Sequence, residues 1–431
     1  MAKVTTNPVA RTIIYFLPLA RRWGAKAGFA VLDQGLFAGT NFLMNILLAR
    51  WLSPVEYGAF TVAYSVFLLL ATLHTAILTE PMLVFGAGRY AEQFREYLGF
   101  ILYGHASLAA VISFILAVVV LLFRQFGSVA LAHALSGLAI ASPFILLLWL
   151  LRRAFYVCFQ PQWAATGGAL YLLLMTAGLY GLYEVHWISP FWVLALMGVA
   201  SAIVALWLIF HLKPRWRSTS GELTPSMVLS SHRAYGKWST ATTGLMWVPS
   251  NIYYTLLPVW AGLEGSAALR AVLNLIMPIL QANSAISILL LPQFAKVFKV
   301  KGKTALHRFS RFVLIPFLIG SMLYWVCLCL FRHQVMAWLY SGGYAEYVDL
   351  LILAGGLPLS VSAVTVLANV LRAIEQPNQV FWCYVVSSLV TITLGLWLLA
   401  TKGVAGAVAG LIASSVATAI TMLWFWVQQH Q

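Results

Sequence analysis

The chain has 431 residues, of which 62% are hydrophobic and only 9% are charged. A mean hydropathy of +0.89 excludes a soluble globular protein and indicates a polytopic membrane protein. The net charge of +15 would also suit a nucleic-acid-binding protein. The basic residues are distributed as a membrane topology requires, however, so no nucleic-acid partner is predicted.

Apolar segments long enough to cross a bilayer as helices recur along the whole chain. Residues 1–26, which precede them, are basic and aromatic without a clean apolar run, so an interfacial segment is predicted there instead of a cleaved signal peptide. A polar cytoplasmic linker at 213–238 is predicted to separate an N-terminal lobe (27–212) from a C-terminal lobe (239–431). The twelve predicted spans lie near 28–49, 60–79, 98–122, 129–151, 164–183, 190–211, 239–260, 267–291, 311–331, 349–371, 380–400 and 404–427.

The basic residues predict the orientation of the spans. If the N-terminus is cytoplasmic, all but five of the 26 lysines and arginines lie in the N-terminal tail or in cytoplasmic connections. The exceptions are Arg50, Arg124, Arg270, Arg332 and Lys402. Because cytoplasmic loops carry the excess of Lys and Arg, both termini are predicted to be cytoplasmic.

A short connector after the first span suggests an internal repeat. Ser53, Pro54, Glu56 and Gly58 form a predicted hinge, because Ser-Pro ends one helix and a glycine precedes the next. A related connector follows Trp260 in the second half of the chain. Six spans in each half bring both halves into the membrane in the same sense. The sequence therefore predicts an all-α fold of two parallel six-helix lobes around a central cavity.

Polar side chains at helical spacing mark the first two spans of each half as the walls of that cavity. A charge within a span costs at least ~2.5–3.5 kcal/mol, so Asp33 and Arg270 are expected to face protein or water. For the amide side chains, hydrogen bonding that only holds helices together remains an open alternative. The predicted cavity residues are Asp33, Asn41, Asn45, Arg50, Asn251, Arg270, Asn274 and Gln281.

The sequence lacks the residues that several other functions would require. There is no Gly-rich loop ending in Gly-Lys-Ser/Thr and no pair of histidines at metal-ligand spacing, so neither nucleotide hydrolysis, a metal site nor a cofactor is predicted. His74 lies off the polar stripe of its span and is predicted to be a packing or snorkelling residue. The short outer connections leave little room for a glycosyltransferase or polymerase, so the chain is not predicted to be an enzyme.

The segment Arg50-Trp51-Leu52-Ser53-Pro54-Val55-Glu56-Tyr57-Gly58 resembles the Arg-x-Leu-x-Pro-x-Glu-Tyr-Gly pattern after the first helix of Wzx-like polysaccharide flippases. These proteins belong to the multidrug/oligosaccharidyl-lipid/polysaccharide (MOP) exporter superfamily. The predicted spans, termini and repeat match that superfamily over essentially the whole chain. The resemblance implies a cationic central cavity for the head group and a lateral opening for the lipid tail. On this basis Arg270 would supply the cavity cation, and Arg50 could reach it.

The resemblance also implies a function and partners. Such proteins move polyprenyl-pyrophosphate-linked glycans between leaflets by alternating access without ATP. The expected location is the bacterial cytoplasmic (inner) membrane, and the expected partners are the lipid-linked glycan, membrane lipid, a polysaccharide polymerase and glycosyltransferases.

Two alternatives remain open. The first is a cation-coupled exporter of small amphipathic compounds. Whichever substrate is moved, the position of Asp33 on the polar arc of the first span predicts a cation-coupling carboxylate or the partner of a cavity arginine. The second, a membrane glycosyltransferase or polymerase, is disfavoured by the short outer loops.

Overall fold

The computed structural model describes residues 8–216, 223–374 and 376–428. Within these ranges the chain is helical and contains no strand, which confirms the all-α prediction. The α-helices are α1 (Pro8–Trp51), α2 (Pro54–His74), α3 (Glu80–Ala87), α4 (Phe94–Phe126), α5 (Val129–Val157), α6 (Pro161–Glu184), α7 (Pro190–Leu212), α8 (Pro225–Leu256), α9 (Pro258–Asn274), α10 (Met277–Leu330), α11 (Arg332–Tyr340), α12 (Leu350–Ala354), α13 (Gly356–Ala373), α14 (Pro377–Val390) and α15 (Leu396–Gln428).

The described helices make the chain a multi-pass membrane protein. By length and composition, eight helical stretches can cross a membrane, or nine if Ser239–Leu256 and Pro258–Asn274, bent by 101°, form one span. The stretch Asn378–Gln428 is long enough for the last two predicted spans. Gly403, with a φ of +55°, interrupts the helix between them. Once this stretch and the bent pair are divided and α1 is added, the helices correspond to the twelve predicted spans.

Several predicted boundaries differ from the structure. The eighth span, predicted at 267–291, is divided by the break between α9 and α10, and α10 continues through the predicted connection to the ninth span. The second span was predicted to end at 79, but a π turn at Thr75–Thr79 carries the helix on into α3. The predicted linker 213–238 is helical from Pro225 onward, because α8 runs without a break into the seventh span. Helix α1 is continuous from Pro8, so no backbone break separates the described part of the segment 1–26 from the first span; residues 1–7 lie outside the described residues.

Prolines within these helices release backbone carbonyls, which neighbouring helices then bind. Pro81, Pro143 and Pro249 each lack the N–H that would donate to the carbonyl four residues earlier. In the membrane such a carbonyl needs another donor. Each receives one from a side chain on another helix. The pairs are His232 Nδ1 with Ile77 O at 3.0 Å, Ser113 Oγ with Ala139 O at 2.9 Å, and Ser388 Oγ with Leu245 O at 2.9 Å.

The helices form two lobes, α1–α7 and α8–α15. In the first lobe α5 packs on α4 and α7, and α1 lies along α6; in the second, α13 packs on α10 and α15. We call the end of the bundle near residues 51–54 and 257–263 the connector end, and the opposite end the terminal end. Both α1 and α8 run from the terminal end to the connector end, so the two lobes are parallel.

The apolar core shows where the lobes meet. One large cluster of buried residues joins the N-terminal lobe to the connector half of the C-terminal lobe, where it includes Leu263, Leu273 and Leu351, and to the start of α8 through Val228. A second cluster, with Leu290 and Phe294, occupies the terminal half of the C-terminal lobe. In the described residues these two clusters are separate. The lobes are therefore packed together at the connector end and along the start of α8, whereas the rest of the terminal half of the C-terminal lobe has a core of its own.

Candidate substrate site between the lobes

The connector between α1 and α2 is a rigid helix start. Ser53 is the N-cap of α2, Pro54 occupies the first turn, and Glu56 completes a capping box. The Ser53 N–H donates to Glu56 Oε2 at 3.1 Å, and the Glu56 N–H donates to Ser53 Oγ at 3.3 Å. Two backbone donors that no helical carbonyl can reach are thus satisfied.

Gly58 has a different role from the predicted one. It lies inside α2 instead of before it, and it is buried where α2 crosses α9 of the other lobe. A Cβ at position 58 would overlap the carbonyl oxygen of Leu263. Only glycine allows the two backbones to approach this closely, so Gly58 is a contact residue between the lobes and the prediction of a hinge there is wrong.

Beside this contact, four predicted residues come together in one hydrogen-bond network. Arg270 Nε donates to Asn45 Oδ1 at 3.0 Å, and Tyr57 Oη donates to the same oxygen at 3.3 Å. Asn274 Nδ2 donates to Tyr57 Oη at 3.0 Å. Asn41 joins through its carbonyl, which accepts from Asn45 Nδ2 at 2.8 Å. The network crosses from α1 and α2 to α9, so it links the two lobes.

The guanidinium of Arg270 is buried among aromatic rings. It is 8% exposed, and its Cζ lies 5.4 Å from the ring centre of Tyr64 and 5.5 Å from that of Tyr254. Ring faces attract a cation, but less strongly than a carboxylate does. Within the described part of the chain, no aspartate or glutamate forms an ion pair with Arg270. The site therefore holds a positive charge with neutral neighbours.

Burial decreases along the polar stripe that begins at Arg270. Asn274 is 2% exposed, whereas Gln281 and Ser284, further along, are exposed. Gln281 therefore lies outside the network, beyond the break between α9 and α10. On α8, Tyr254 is buried and Thr243, nearer the terminal end, is half-buried. Polar groups exposed within a span normally face water or protein. The stripes thus pass from buried positions to more exposed positions toward the terminal end.

Asp33 lies elsewhere. It is fully buried inside the N-terminal lobe, where Arg152 of α5 donates to Asp33 Oδ1 from Nε at 3.0 Å and from Nη2 at 2.6 Å. Tyr156 Oη donates to Asp33 Oδ2 at 2.7 Å, and the guanidinium stacks 3.8 Å from the ring centre of Phe37. The prediction that Asp33 lines the space between the lobes is wrong, because its partners belong to its own lobe.

Two other predicted residues are also outside the network. Arg50 is exposed at the last turn of α1 and forms no ion pair with a described carboxylate. Asn251 contacts the N-terminal lobe, but through its backbone, since Ser65 Oγ donates to its carbonyl at 3.1 Å.

Sequence reasoning missed Arg152, Tyr57 and Tyr64. Arg152 was assigned to a cytoplasmic connection, although α5 extends past it to Val157. The only signal was indirect, since a carboxylate within a span requires a partner. Tyr57 lies in the Glu-Tyr-Gly segment, but its position there does not show that its hydroxyl reaches Asn45.

A second contact between the lobes lies at the terminal end. His232, which precedes the candidate span Ser239–Leu256, is 4% exposed. Burial lowers its pKa, while the hydrogen bond to the Ile77 carbonyl acts in the opposite direction. A neutral imidazole that donates from Nδ1 must accept at Nε2, where Tyr97 Oη lies at 2.6 Å. The ring therefore ties α8 to α4 and to the π turn of the N-terminal lobe.

His74 is a packing residue, as predicted, but it does not snorkel. It is 1% exposed, and its Nε2 lies 2.9 Å from Nδ1 of His105 on α4. Among the described residues, no three His, Cys, Asp or Glu side chains are grouped so as to hold a metal ion.

The fold and the network together define an all-α membrane protein with two lobes, each containing six of the predicted spans, and a polar site between them. No protein-family model matches the sequence, and no curated protein matches it significantly. Solved structures do match. An inward-facing multidrug resistance MATE family transporter of the MOP superfamily aligns with a TM-score of 0.76 and 14% identity, covering 92% of this chain and 94% of that one.

Two further structures show the same fold. The lipid II flippase MurJ in an inward closed conformation aligns with a TM-score of 0.73 and 14% identity, covering 93% of this chain and 86% of that one. A MOP superfamily transporter from Pyrococcus furiosus, whose binding pocket of reverse polarity suggests a different function, aligns with a TM-score of 0.67 and 12% identity. The alignment covers 93% of this chain and 94% of that one. The chain therefore has the fold of the MOP superfamily transporters, and the predicted architecture is confirmed.

Proposed function

We propose that the chain is a transporter that moves a lipid-linked oligosaccharide across the membrane by alternating access, as Wzx-like flippases do. The observation that carries this proposal is the buried Arg270. A charged arginine within a span has a high desolvation cost, so it is expected to have a function that requires the charge. A guanidinium binds phosphate oxygens in pairs, so a diphosphate would supply the anion that the described residues do not.

The neighbours of Arg270 suit the rest of such a head group. Asn45, Asn274 and Tyr57 offer amide and hydroxyl groups that can both donate and accept, as sugar hydroxyls require. Tyr64 and Tyr254 add aromatic faces next to the cation. Because the network is closed in this conformation, substrate would enter only when the lobes exchange these contacts for contacts with the head group.

The alternative, a cation-coupled exporter of amphipathic compounds, draws support from Asp33 as a buried carboxylate in the first span. Its charge is already neutralised by Arg152, however, with two hydrogen bonds from one guanidinium. The nearest charge for a substrate between the lobes is the cation Arg270. Positive drugs would be repelled by that site, whereas an anionic head group would be attracted.

The proposal places the chain in a bacterial cytoplasmic membrane with the connector end outward. Cysteines introduced one at a time into a cysteine-free variant test this orientation. Ser341→Cys lies in the exposed turn after α11, and Ser226→Cys lies in the exposed start of α8. An impermeant maleimide should label only Ser341→Cys in intact cells. Labelling of both variants from the same side would contradict the twelve-span topology.

Reconstituted vesicles test the substrate. A fluorescent prenyl diphosphate carrying a short oligosaccharide is reduced from outside, so the rate of signal loss reports transfer between leaflets. Arg270→Ala should slow the transfer by about 10-fold to 100-fold, because charge-assisted hydrogen bonds to phosphate are lost. Arg270→Lys should keep partial activity. The lysine retains the positive charge but lacks the planar guanidinium that donates two hydrogen bonds to a phosphate at once.

Arg50→Ala is the matched control, because it removes an exposed cation from the connector end. It should flip the substrate at the wild-type rate. Wild-type flipping by well-inserted Arg270→Ala would overturn the proposal. A positively charged fluorescent dye, offered with a cation gradient, tests the exporter: dye transport that requires Asp33 would favour that alternative.

A further inference from the structure

A second cavity lies outside the site between the lobes, at the terminal end. It is a groove of about 1050 Å³ between α4 of the N-terminal lobe and the start of α8. Its walls are apolar: Leu108 and Val111 come from α4, Val228 and Leu229 come from α8, and Leu78 lies below them. Val111 is 54% and Leu229 68% exposed, so the groove opens to the surroundings of the bundle.

Two basic side chains line one wall of this groove. Arg233 and Lys237 are one helical turn apart on α8, and both are exposed. Neither forms an ion pair within the described residues, and no described aspartate or glutamate lines the groove. Close by, Arg215 forms an ion pair with Glu96 at 3.5 Å. Acidic residues are therefore present in this region, although none of those described lines the groove.

The groove is distinct from the Arg270 site. Its lining includes His232, which donates to the Ile77 carbonyl, and Gly236, which lies against the backbone of Ala76 and Ile77. None of Asn45, Arg270 and Asn274 lines it. A ligand in the groove would therefore contact the outer side of the lobe contact and not the polar network.

An apolar channel beside two unpaired cations is complementary to a lipid with an anionic head. We propose that the groove binds an anionic glycerophospholipid of the bilayer. Its acyl chain lies along α4, and its phosphate meets Arg233 and Lys237. Basic residues at a membrane surface attract anionic lipid in this way. Since α4 and α8 belong to different lobes, the bound lipid bridges the lobes at the contact that His232 makes.

The proposal does not depend on which substrate is transported. The purified full-length protein in neutral detergent is titrated with phosphatidylglycerol or phosphatidylcholine, and binding is measured by native mass spectrometry and by the shift in melting temperature. Phosphatidylglycerol should bind more tightly and raise the melting temperature more. In the double variant Arg233→Gln/Lys237→Gln the affinity for phosphatidylglycerol should fall about 30-fold, because two surface cations are lost.

The matched control is Lys299→Gln/Lys301→Gln. These lysines are exposed on α10, and the double change removes the same charge away from the groove. This variant should keep the wild-type preference for phosphatidylglycerol. An equal loss in both double variants would show that only net charge matters and would overturn the site.

A steric pair of variants tests the apolar wall without changing charge. Ser107 is exposed and lines the groove, so Ser107→Trp should fill it and lower the affinity for phosphatidylglycerol. Ala110→Trp adds the same ring to an exposed position of α4 outside the lining and should bind as wild type. Equal binding of the two phospholipids by the wild type would overturn the proposal. So would stabilisation by a polyprenyl diphosphate alone, lost in Arg233→Gln/Lys237→Gln, because the occupant would then be the carrier lipid.

Discussion

Arg152 and Arg270 are both buried in helices, but their surroundings differ. Arg152 lies inside one lobe and is neutralised by two hydrogen bonds to Asp33. Arg270 lies between the lobes and bonds a neutral amide, with tyrosine rings on its faces. A neutralised ion pair in a lobe interior holds helices together, whereas a cation at a movable contact remains available to an anion. The comparison therefore separates a structural charge from a candidate binding charge.

Helix α1 supplies the partner of each arginine. Asp33 and Asn45 are separated by twelve residues, which is about 18 Å along the helix and about 120° around it. Asp33 thus faces α5 and α6 of its own lobe, while Asn45 faces α2 and α9. One helix therefore connects the interior of the N-terminal lobe with the lobe contact, and a movement of α1 would affect both.

The strongest test of this contrast is to remove Arg152. In Arg152→Ala the Asp33 carboxylate stays buried without its cation, which should destabilise the protein by about 3–5 kcal/mol. Thermal unfolding in detergent measures the loss. The double variant Asp33→Ala/Arg152→Ala should recover part of it, because no unpaired charge is left. Wild-type stability of Arg152→Ala would show that the pair is not structural.

Gly58→Ala should break the contact between the lobes while leaving the Asp33 pair intact. The new methyl group meets the Leu263 carbonyl, and overpacking of this kind costs about 1–3 kcal/mol. We expect a lower melting temperature and altered flipping. Gly35→Ala is the control, because a Cβ there has no neighbour within 4 Å. Equal effects of the two substitutions would show that the contact at Gly58 is not special.

Ser53→Ala tests whether the start of α2 holds the connector end in place. The loss of an N-cap side chain costs about 1 kcal/mol. Stability should fall by this amount, because the Glu56 N–H loses its acceptor. Ser53→Asp should restore it, since Asp caps equally well. A failure of Ser53→Asp to recover the melting temperature would mean that the cap is not the source of the effect.

The smallest effect on stability is expected for Arg270→Ala. No carboxylate is left unpaired, so the change in unfolding free energy should be about 1 kcal/mol or less, the size of one hydrogen bond. Flipping should nevertheless be lost, as proposed above. A loss of stability as large as that of Arg152→Ala would remove the distinction between the two arginines.

The sequence by itself determined the order of the membrane-spanning segments and most of their positions. Apolar length and residues such as Pro54, Pro161 and Gly403 act locally, so the spans and most of their ends could be predicted. The sequence also found Asn45, Arg270 and Asn274, because their spacing places them on single helix faces. It could not do the same for Gly58, whose role depends on the backbone that crosses it.

Only the tertiary structure decided which polar residues meet. Asp33 and Arg152 are 119 positions apart, and Asn45 and Arg270 are 225 apart. The polar arc of α1 is wide enough to touch two different neighbours, and helical periodicity gives the angle of a side chain but not the helix it faces. Because the free energy of a buried charge depends on its neighbours, whether an arginine is neutralised or available is a property of the packed lobes.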